Sequence, residues 1–562
     1  MQLRLPLSQP IETRDGTLTK DSKCVNGYFE MNNQKREFVK RPGLINTAAT
    51  LPTGNGQGLT TFNGYLYAAI DNVIYKIDPT TFAKTTIGTM TGTVNGKVAT
   101  CYFEQTLNNT YLFVHNQVNG YTITTSDVFA QVVNTAINDV LIFTGGTGYT
   151  AGDVLTIVGG TFTTAGTITV NTVDGSGVIT EATLTNHGNY SVAPTNPVSV
   201  TGGTGSSAQF TADMNGFPSG NLVPGACYLD TYTVVGSPNG EVFTSDPNNP
   251  TSWNALNYIT AEGEPDGLVG IAKHLNYVLA FGNWSIQFFY DSGASPGSPL
   301  ANASSYTVEL GCANGDSIAS FENVVVFVGT SRDNGNTVYT ISGTSPQKVS
   351  TPYIDRILNL SDMSDVKSYS MRINGHTFYV LTLHDLNKTL VLDMNEQVWY
   401  QWTMWAPDDS GNYGEQYFRP SYFASINGKY YMLDDDTGVL YEMSASYYTD
   451  NGAPIYYRSV SDIEDNGTTK RKYYRRLEIV GDKVPAIMKV RHSGDDYKTW
   501  SSYRSVDLSK TRAQLYLGGQ DRRRSWEFLC TDPQPLRLLA AEIEFDIGGI
   551  ENEAQQPPQY RK

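Results

Sequence analysis

The sequence predicts an all-β protein organised around a β-propeller of six or seven blades. Two observations carry this prediction. A hairpin pattern returns seven times along the chain, and Gly (53) and Tyr (36) are abundant while no window shows a long amphipathic helical period. In the clearest copy, SINGKYYMLDDDTGVLYEM from Ser425 to Met443, two runs of alternating apolar and polar residues are separated by an Asp/Gly turn.

The spacing of the copies indicates blades. Their equivalent turn points are Gly64, Asn109, Asp230, Asn276, Asn323, Gly375 and Gly428, and the steps between them are 45, 121, 46, 47, 52 and 53 residues. Asn-Gly recurs at the clearest turns because a tight turn needs positive φ, which both residues tolerate. A period in the forties suits a four-stranded blade, and blades that close into a ring protect their sheet edges. A series of β-sandwiches or an irregular β-solenoid is the alternative architecture.

The chain is long enough for several domains, since a single core stops growing at roughly 250 to 300 residues. The single step of 121 residues predicts an insertion in a blade loop, where added length costs little loop entropy. Its sequence indicates short Thr/Val strands separated by pairs of glycines. After the last repeat the strands lengthen and the charge becomes mixed. The expected domains are an N-terminal segment over residues 1–50 that packs with the platform, a β-propeller over residues 51–445, a small inserted β domain over residues 134–216, and a C-terminal β-sandwich-like platform domain with a polar tail over residues 446–562.

The distribution of charge says more than the net charge of −16. Between Lys97 and Lys273 the chain has thirteen acidic residues and no Lys or Arg, whereas residues 1–97 carry +4 and residues 446–562 carry +2. This excess of acidic residues argues against a protein that binds nucleic acid through its phosphates, because phosphate contacts require many Lys or Arg side chains.

No stretch of the sequence predicts a catalytic, cofactor or metal site. The six histidines are scattered and the five cysteines lie far apart, so neither a zinc site nor a disulfide framework is expected. The run Asp434–Asp436 falls in a hairpin turn, where a solvated turn is favoured over a weak cation site. SGDDYKTW, from Ser493 to Trp500, is similar to the Asp-box turn of sialidase propellers, which is a folding element. We expect a structural or binding protein and no enzyme.

The N-terminus lacks the apolar core and cleavage site of a signal peptide. No apolar run approaches the roughly 20 residues that a membrane helix needs. The sequence therefore predicts a soluble protein with no membrane segment, made in the cytoplasm.

Three parts of the chain together resemble a known family. The N-terminal FVKRPGL, the propeller repeats, and the C-terminal run from VRHSGDDYKTW to LRLLAAEIEF are similar to the tail nozzle proteins of short-tailed bacteriophages, also called tail hub or packaged-DNA stabilisation proteins. The resemblance implies a structural virion protein of the tail, made in the host bacterial cytoplasm, that forms a homohexameric nozzle below the portal and adaptor rings. Such a nozzle retains the packaged DNA and conducts it during ejection, without catalytic residues or cofactors.

The implied partners are portal or adaptor ring proteins, a tail fibre or tailspike, a needle or plug protein, and phage DNA that passes through the channel without specific binding. On a nozzle, the basic ends of the chain would dock on an upstream ring or a neighbouring subunit, because opposite charge steers assembly. The residues assigned to docking are Lys40, Arg41, Arg471, Arg475, Arg476, Arg522, Arg523 and Arg524. The residues assigned to the channel wall, where carboxylates would repel passing DNA, are Asp230, Glu241, Asp246, Glu262, Glu264 and Asp266. The alternative for both groups is ordinary solvated surface.

The second functional hypothesis is a carbohydrate-binding or sialidase-like glycan-active propeller. It would stack sugars on exposed aromatic side chains, for which the run VWYQWTMW offers Trp399, Trp402 and Trp405. The same spacing is normal for the core of a blade strand, and core packing is the favoured interpretation of these three tryptophans.

Overall fold

The computed structural model describes residues 2–6, 23–32, 35–92, 100–106, 110–132, 137–214, 216–261, 263–264, 266–294, 297–332, 335–408 and 410–548. By contact, the chain divides into two compact units. The terminal unit comprises Met1–Leu51, Gly335–Thr340 and Gln347–Lys562, and the central unit comprises Pro52–Asn334 and Ile341–Pro346. Each unit is described separately below.

The terminal unit begins with five short strands, four of which pair with strands far along the chain. They are β1 Gln2–Pro6, β2 Lys23–Val25, β3 Gly27–Asn32, β4 Lys35–Lys40 and β5 Gly43–Asn46. Only β3 and β4 form a local hairpin, with Gly27 opposite Lys40.

The central unit opens with two antiparallel four-stranded sheets whose strands follow one another in sequence order. The first sheet contains β6 Gly56–Phe62, β7 Tyr65–Ile70, β8 Val73–Ile77 and β9 Lys84–Thr89. The second contains β10 Tyr102–Gln105, β11 Tyr111–His115, β12 Gly120–Thr124 and β13 Phe129–Gln131.

Eight strands then form a separate layer that interrupts the series of four-stranded sheets. They are β14 Ile137–Thr147, β15 Val154–Val158, β16 Thr161–Thr164, β17 Thr167–Val173, β18 Ile179–Asn186, β19 Asn189–Val192, β20 Val198–Thr201 and β21 Ser206–Met214. Six of them form one sheet in the order β14-β21-β20-β15-β17-β18, while β16 pairs with β19. Their alternating apolar residues, such as Leu155, Ile168 and Phe210, pack into a core of their own.

The series resumes with two more four-stranded sheets and the start of another. The strands are β22 Cys227–Leu229, β23 Tyr232–Gly236, β24 Glu241–Asp246, β25 Asn249–Thr260, β26 Leu268–His274, β27 Tyr277–Gly282, β28 Ile286–Asp291, β29 Leu300–Asn302, β30 Gly311–Cys312, β31 Ala319–Phe321 and β32 Val324–Ser331. Short 3-10 turns lie at Ser304–Tyr306 and Gly315–Ser317. The first strands of successive sheets contact one another, since β10 touches β6 and β22, β22 touches β26, and β26 touches β31. This is the arrangement of inner strands in propeller blades.

The chain continues through β33 Gly335–Ile341, β34 Pro346–Lys348 and one helix, α1 Pro352–Leu358. The remaining strands belong to the terminal unit. They are β35 Val366–Ile373, β36 His376–Leu383, β37 Lys388–Asp393, β38 Val398–Pro407, β39 Tyr413–Tyr417, β40 Pro420–Ile426, β41 Lys429–Asp434, β42 Leu440–Ser444, β43 Thr449–Asp450, β44 Ala453–Pro454, β45 Tyr457–Val460, β46 Lys472–Gly481, β47 Ile487–Ser493, β48 Arg504–Asp507, β49 Ala513–Asp521, β50 Ser525–Cys530 and β51 Arg537–Ile547.

Three sheets of the terminal unit join the N-terminal strands to later ones. Strand β5 adds to the sheet of β40, β41 and β42, with Leu44 opposite Met443. Strand β2 lies between β38 and β45, which links β35–β38 to β45, β50, β47 and β48 in one ten-stranded sheet. Strands β1 and β4 both pair with β51 in a six-stranded sheet that continues through β46 to β49. The terminal unit therefore unites regions that the sequence assigned to three domains, and the predicted domain boundaries stay predictions.

The predicted turn points fall between the first two strands of their sheets. Gly64, Gly375 and Gly428 have φ values of +80°, +84° and +73°, as the Asn-Gly pattern requires. In the looser copies a different residue takes the left-handed conformation, for example Leu275 at φ 53° just before Asn276. Asn109 lies outside the described residues.

The guanidinium of Arg41 is buried at the junction of three segments of the terminal unit. Nη1 and Nη2 both donate to the carboxylate of Asp450. Nη1 also donates to the carbonyl of Pro42, and Nη2 donates to the carbonyl of Thr403 at 2.9 Å. Nε donates to Oδ1 of Asn26 at 3.0 Å. All five N–H groups of the arginine are therefore used. The guanidinium also packs over the ring of Phe418, 4.7 Å from its centroid.

Replacing Arg41 with alanine is expected to destabilise the protein by about 3–5 kcal/mol, because the Asp450 carboxylate is left buried without its partner. Urea unfolding followed by tryptophan fluorescence measures this loss. The matched control is Arg36→Ala in the same hairpin, where the side chain is 38% exposed and 3.5 Å from Glu396. Its loss should cost less than about 1 kcal/mol. Equal unfolding midpoints for the two variants would contradict the assignment.

Deleting residues 134–216 and joining the ends with a short Gly-Ser linker is expected to leave a folded protein. Ile137 and Met214 are paired across β14 and β21, so their Cα atoms lie about 4.5–5.5 Å apart. Circular dichroism and a cooperative thermal transition would report folding. As a control, deleting residues 227–260 removes one four-stranded sheet of the series and should abolish that transition. A shortened chain that aggregates like the control would show that the insertion is needed for folding.

Candidate functional site: the basic face of the terminal unit

The exposed members of the predicted docking set lie on β46, at the residue just before it, and on the turn before β50. Arg475 is largely exposed and pairs with Asp546, while the half-buried Arg476 lies 3.3 Å from Glu544. Arg523 is half-exposed and pairs with Asp496. Arg471 and Arg522 are exposed, and Nη1 of Arg522 donates to the carbonyl of Thr469 at 3.2 Å. These five arginines leave their guanidinium groups open to solvent at least in part, and their docking role stays a prediction.

Three other members of the set are buried, which corrects the expectation that they contact a partner. Besides Arg41, these are Lys40 and Arg524. The ammonium of Lys40 donates to the carbonyls of Tyr448 and Asp532 at 3.1 and 2.9 Å, and burial lowers its pKa to about 8. The physical reason is that acceptors inside the terminal unit satisfy these cations, because Asp450 pairs with Arg41, Asp521 pairs with Arg524, and two carbonyls accept from Lys40.

Arg524 occupies an aromatic pocket inside the terminal unit. Its guanidinium lies over the rings of Tyr474 and Trp526, 3.8 and 4.9 Å from their centroids, and it pairs with Asp521. Burial lowers the pKa of Arg524, although the Asp521 carboxylate acts in the opposite direction. A neighbouring cation, Lys472, is also buried and donates to the carbonyl of Thr468 at 2.6 Å. Sequence reasoning grouped all these charges as surface because a basic run carries no signal of burial.

A β-bulge that the sequence did not predict lies beside this pocket. Tyr474 pairs with Gly519 and Arg476 pairs with Tyr516, so Leu517 and Gly518 together oppose the single residue Arg475. Leu517 has φ 58° and its side chain is 86% exposed. Glycine or asparagine normally signals such a conformation in a sequence, and a leucine does not.

The predicted channel acids all belong to the central unit, and four of them make local contacts. Glu241 accepts a hydrogen bond from Ser237 Oγ at 2.7 Å, and Asp246 accepts one from Ser252 Oγ at 2.6 Å. Asp266 caps a turn by accepting from the backbone N–H groups of residues 284 and 285 at 2.6 and 3.0 Å. Glu264 lies 3.8 Å from Arg332.

The remaining channel candidates are Asp230 and Glu262. Asp230 is exposed in the turn between β22 and β23 at φ 53°. Glu262 lies outside the described residues. Glu264 and Asp266 line an open cleft together with Pro238, Thr260 and Ala261. That any of these acids faces a channel stays a prediction.

The Asp434–Asp436 turn is organised by internal contacts. Oδ1 of Asp434 accepts from the backbone N–H groups of residues 436 and 437, both at 3.0 Å, and burial raises the pKa of Asp434 to about 6. Asp435 accepts from His384 Nε2 at 2.8 Å. Burial alone would lower the pKa of His384, but its bonds to Asp365 and Asp435 raise it to about 10. Within the described ranges, no group of three or more His, Cys, Asp or Glu side chains is arranged to hold a metal ion.

The features that suggested a glycan-active propeller have structural roles. Trp399 and Trp402 are fully buried, and Trp405 stacks on Tyr456 with ring centroids 5.1 Å apart. In the turn that is similar to an Asp-box, Asp495 accepts from the Thr499 hydroxyl and backbone N–H at 2.6 and 2.9 Å, and these bonds lower its pKa to about 2. Tyr497 takes the left-handed conformation, at φ 61°, where that motif has glycine.

No helix in the described part of the chain is long and apolar enough to span a membrane.

Solved structures similar to this chain share little sequence with it. The computationally designed Ika8 protein is 12% identical, with coverage of 72% of this chain and 99% of that chain and a TM-score of 0.33. The N-terminal domain of Nup159 is 9% identical, with coverage of 75% and 99% and a TM-score of 0.36. BamB from Moraxella catarrhalis is 11% identical, with coverage of 72% and 99% and a TM-score of 0.31.

Comparison with known sequences is more specific. The tail hub protein gp10 of Salmonella phage P22 is 24% identical over 177 residues, which is 31% of this chain and 36% of that protein. The aligned part therefore spans about a third of this relative's length. The model of the family described as Bacteriophage P22 Gp10, β-propeller, matches residues 24–448, which is well over half of the chain. The chain thus belongs to this β-propeller family, which confirms both the predicted fold class and the resemblance found in the sequence.

Proposed function

We propose that this protein is a structural component of a bacteriophage tail, in which a homohexamer forms a nozzle below the portal and adaptor rings. The nozzle retains the packaged DNA and conducts it during ejection. The observation that carries the proposal is the family match over residues 24–448, and the relative in phage P22 is itself named a tail hub protein. The protein would act in the virion tail, after synthesis in the host cytoplasm, and without catalysis.

The charge of the central unit supports a role in conducting DNA. The stretch from residue 98 to residue 272 has thirteen acidic residues and no Lys or Arg. Each phosphate that a cation neutralises adds a favourable, salt-dependent term to DNA binding. A wall without cations lacks that term, so the duplex would slide past it without adhering.

The terminal unit supports a role in attachment. Its buried Arg41 and Arg524 join distant segments, and its exposed arginines remain available for a partner. The proposed partners are an upstream portal or adaptor ring, a tail fibre or tailspike, and a needle or plug protein. Exposed charges of this kind set association rate and orientation more than affinity.

Phage particles assembled without this protein are expected to lose their packaged DNA, because the proposed nozzle closes the exit below the portal. Genome copies that survive nuclease treatment of purified particles, counted by quantitative PCR, measure retention. Supplying the wild-type chain in trans is the control and should restore full retention. Electron microscopy should show six-fold rings of the purified chain. Particles that keep their genome without the protein would contradict the proposal.

Replacing Asp230 with lysine, which adds one lysine in every copy of the chain, is expected to slow genome ejection several-fold at low salt and to have little effect at high salt. The new cations would bind phosphates of the passing duplex, and salt weakens that binding. Ejection from single particles, followed with a DNA-binding dye, gives the rate. The matched control is Glu181→Lys in β18, which changes the net charge equally outside the channel set. An ejection rate that depends on neither the charge at position 230 nor the salt concentration would rule out the conducting role of Asp230.

A further inference from the structure

The bulge in β49 presents a leucine to solvent in a strained conformation. Leu517 is the central residue, at φ 58° and 86% exposed. The left-handed region costs an ordinary L-residue roughly 1–2 kcal/mol, and the exposed side chain gains nothing from burial in this chain. The fold therefore maintains an unfavourable arrangement at this position. Strain of this kind persists where the surrounding structure enforces it, and it often has a functional use.

Two arginines enforce the arrangement. Arg504 donates from Nη1 to the carbonyl of Leu517 at 2.9 Å and from Nη2 to the carbonyl of Tyr516 at 2.6 Å. Arg524, which is itself buried over Tyr474, donates to the carbonyl of Gly518 at 2.6 Å. Three successive carbonyls are thus fixed by two guanidinium groups. A backbone segment held this way loses little conformational entropy when its side chain docks into a partner.

The exposed residues around Leu517 are of the types that are enriched at the centre of protein–protein interfaces. We name the surface formed by Tyr473, Arg475, Tyr516 and Leu517 the Leu517 knob. Tyr473 is 47% exposed, Tyr516 is 56% exposed and the Arg475 side chain is 67% exposed. Tyrosine and arginine are enriched among the residues that dominate binding energy at protein interfaces, and apolar anchors are effective when a partner pocket encloses them.

Charge indicates what kind of surface receives the knob. From Lys470 to Arg524 the sequence has fifteen basic and six acidic residues, a net charge of +9. Residues 98–272 of the same chain have the opposite character, with thirteen acidic residues and no basic ones. Such complementary potentials attract one another and suppress wrong pairings. Every copy of the chain carries both surfaces.

The central unit offers a cleft of suitable chemistry within its acidic stretch. Pro238, Thr260 and Ala261 contribute apolar atoms to its lining, while Glu264 and Asp266 contribute carboxylates. Glu264 is 41% exposed, and its contact with Arg332 at 3.8 Å is itself solvent-accessible. An arginine from another molecule can therefore reach this carboxylate.

We propose that the Leu517 knob of one molecule docks into the cleft lined by Pro238, Ala261 and Glu264 in a second copy of this chain. Arg475 of the knob then faces Glu264. Because the two surfaces differ, the contact is heterologous, and heterologous contacts generate rings when the rotation between copies closes. The inference rests on the proposed homo-oligomer and adds the contact that holds neighbouring copies together. It assigns Glu264 and Asp266 to this contact and not to the channel wall.

Leu517→Asn tests the proposal. Asparagine tolerates the left-handed conformation, so the monomer should unfold at the same or a higher temperature. Loss of the anchor should weaken self-association by at least about tenfold, measured by mass photometry over a concentration series. The matched control is Leu360→Asn, since Leu360 is another leucine of the terminal unit with 60% exposure. This control should self-associate like the wild type.

Two further measurements locate the partner surface. Glu264→Arg should weaken self-association, and combining it with Arg475→Glu should restore it, because the pair is reversed. A photoreactive phenylalanine at position 517 should cross-link to residues 238–267 of a neighbouring copy, as mapped by mass spectrometry. Wild-type affinity of Leu517→Asn, or cross-links to another region or another tail protein, would overturn this inference and leave the proposed function intact. A wild-type chain that stays monomeric at all concentrations would overturn both.

Discussion

The buried ion pair between Arg41 and Asp450 is the contact on which the terminal unit depends. Two charges removed from water carry a desolvation cost that is recovered only when every donor and lone pair is well placed. Arg41 meets that condition through Asn26, the carbonyls of Pro42 and Thr403, and the ring of Phe418. The pair thereby requires the N-terminal hairpin, strand β38 and strand β43 to be in place together. Strands β2 and β5 then complete sheets that would otherwise have open edges.

The sequence predicted the repeated hairpins because their signal is local. A tight turn needs positive φ, Asn-Gly supplies it, and Gly64, Gly375 and Gly428 have that conformation. The sites were less accessible to prediction, because they depend on pairing over long distances. The burial of Arg41 follows from a partner 409 residues away, and that of Arg524 from two rings on strands β46 and β50, which belong to different sheets. Leu517 gave no turn signal, since its conformation is imposed by Arg504 and Arg524.

The separation of charge along the chain matches the different roles that we propose for the two units. The central unit contributes the cation-free stretch, which is compatible with passing DNA, and the terminal unit contributes a net-basic stretch with clamped and exposed arginines. Within the terminal unit the same residue type serves two purposes. Buried arginines bind a carboxylate and backbone carbonyls at once through the planar guanidinium group. The exposed arginines Arg475 and Arg523 pair with Asp546 and Asp496 and keep part of their guanidinium groups open to solvent.

Because N-terminal strands pair with strands near the C-terminus, the terminal unit can complete its sheets only near the end of synthesis. Arg41 and Asp450 are separated by 409 residues. At roughly 5–20 residues per second, the ribosome needs on the order of 20–80 s to make the partner after Arg41 has emerged. Strands β1 and β4 remain without their partner for longer, because both pair with β51, which begins at Arg537. The central unit can acquire its sheets during synthesis, but the terminal unit closes only when the late strands arrive. A prematurely terminated chain therefore keeps unpaired strand edges, which can pair with other chains, and only a chain with its late strands can close the terminal unit.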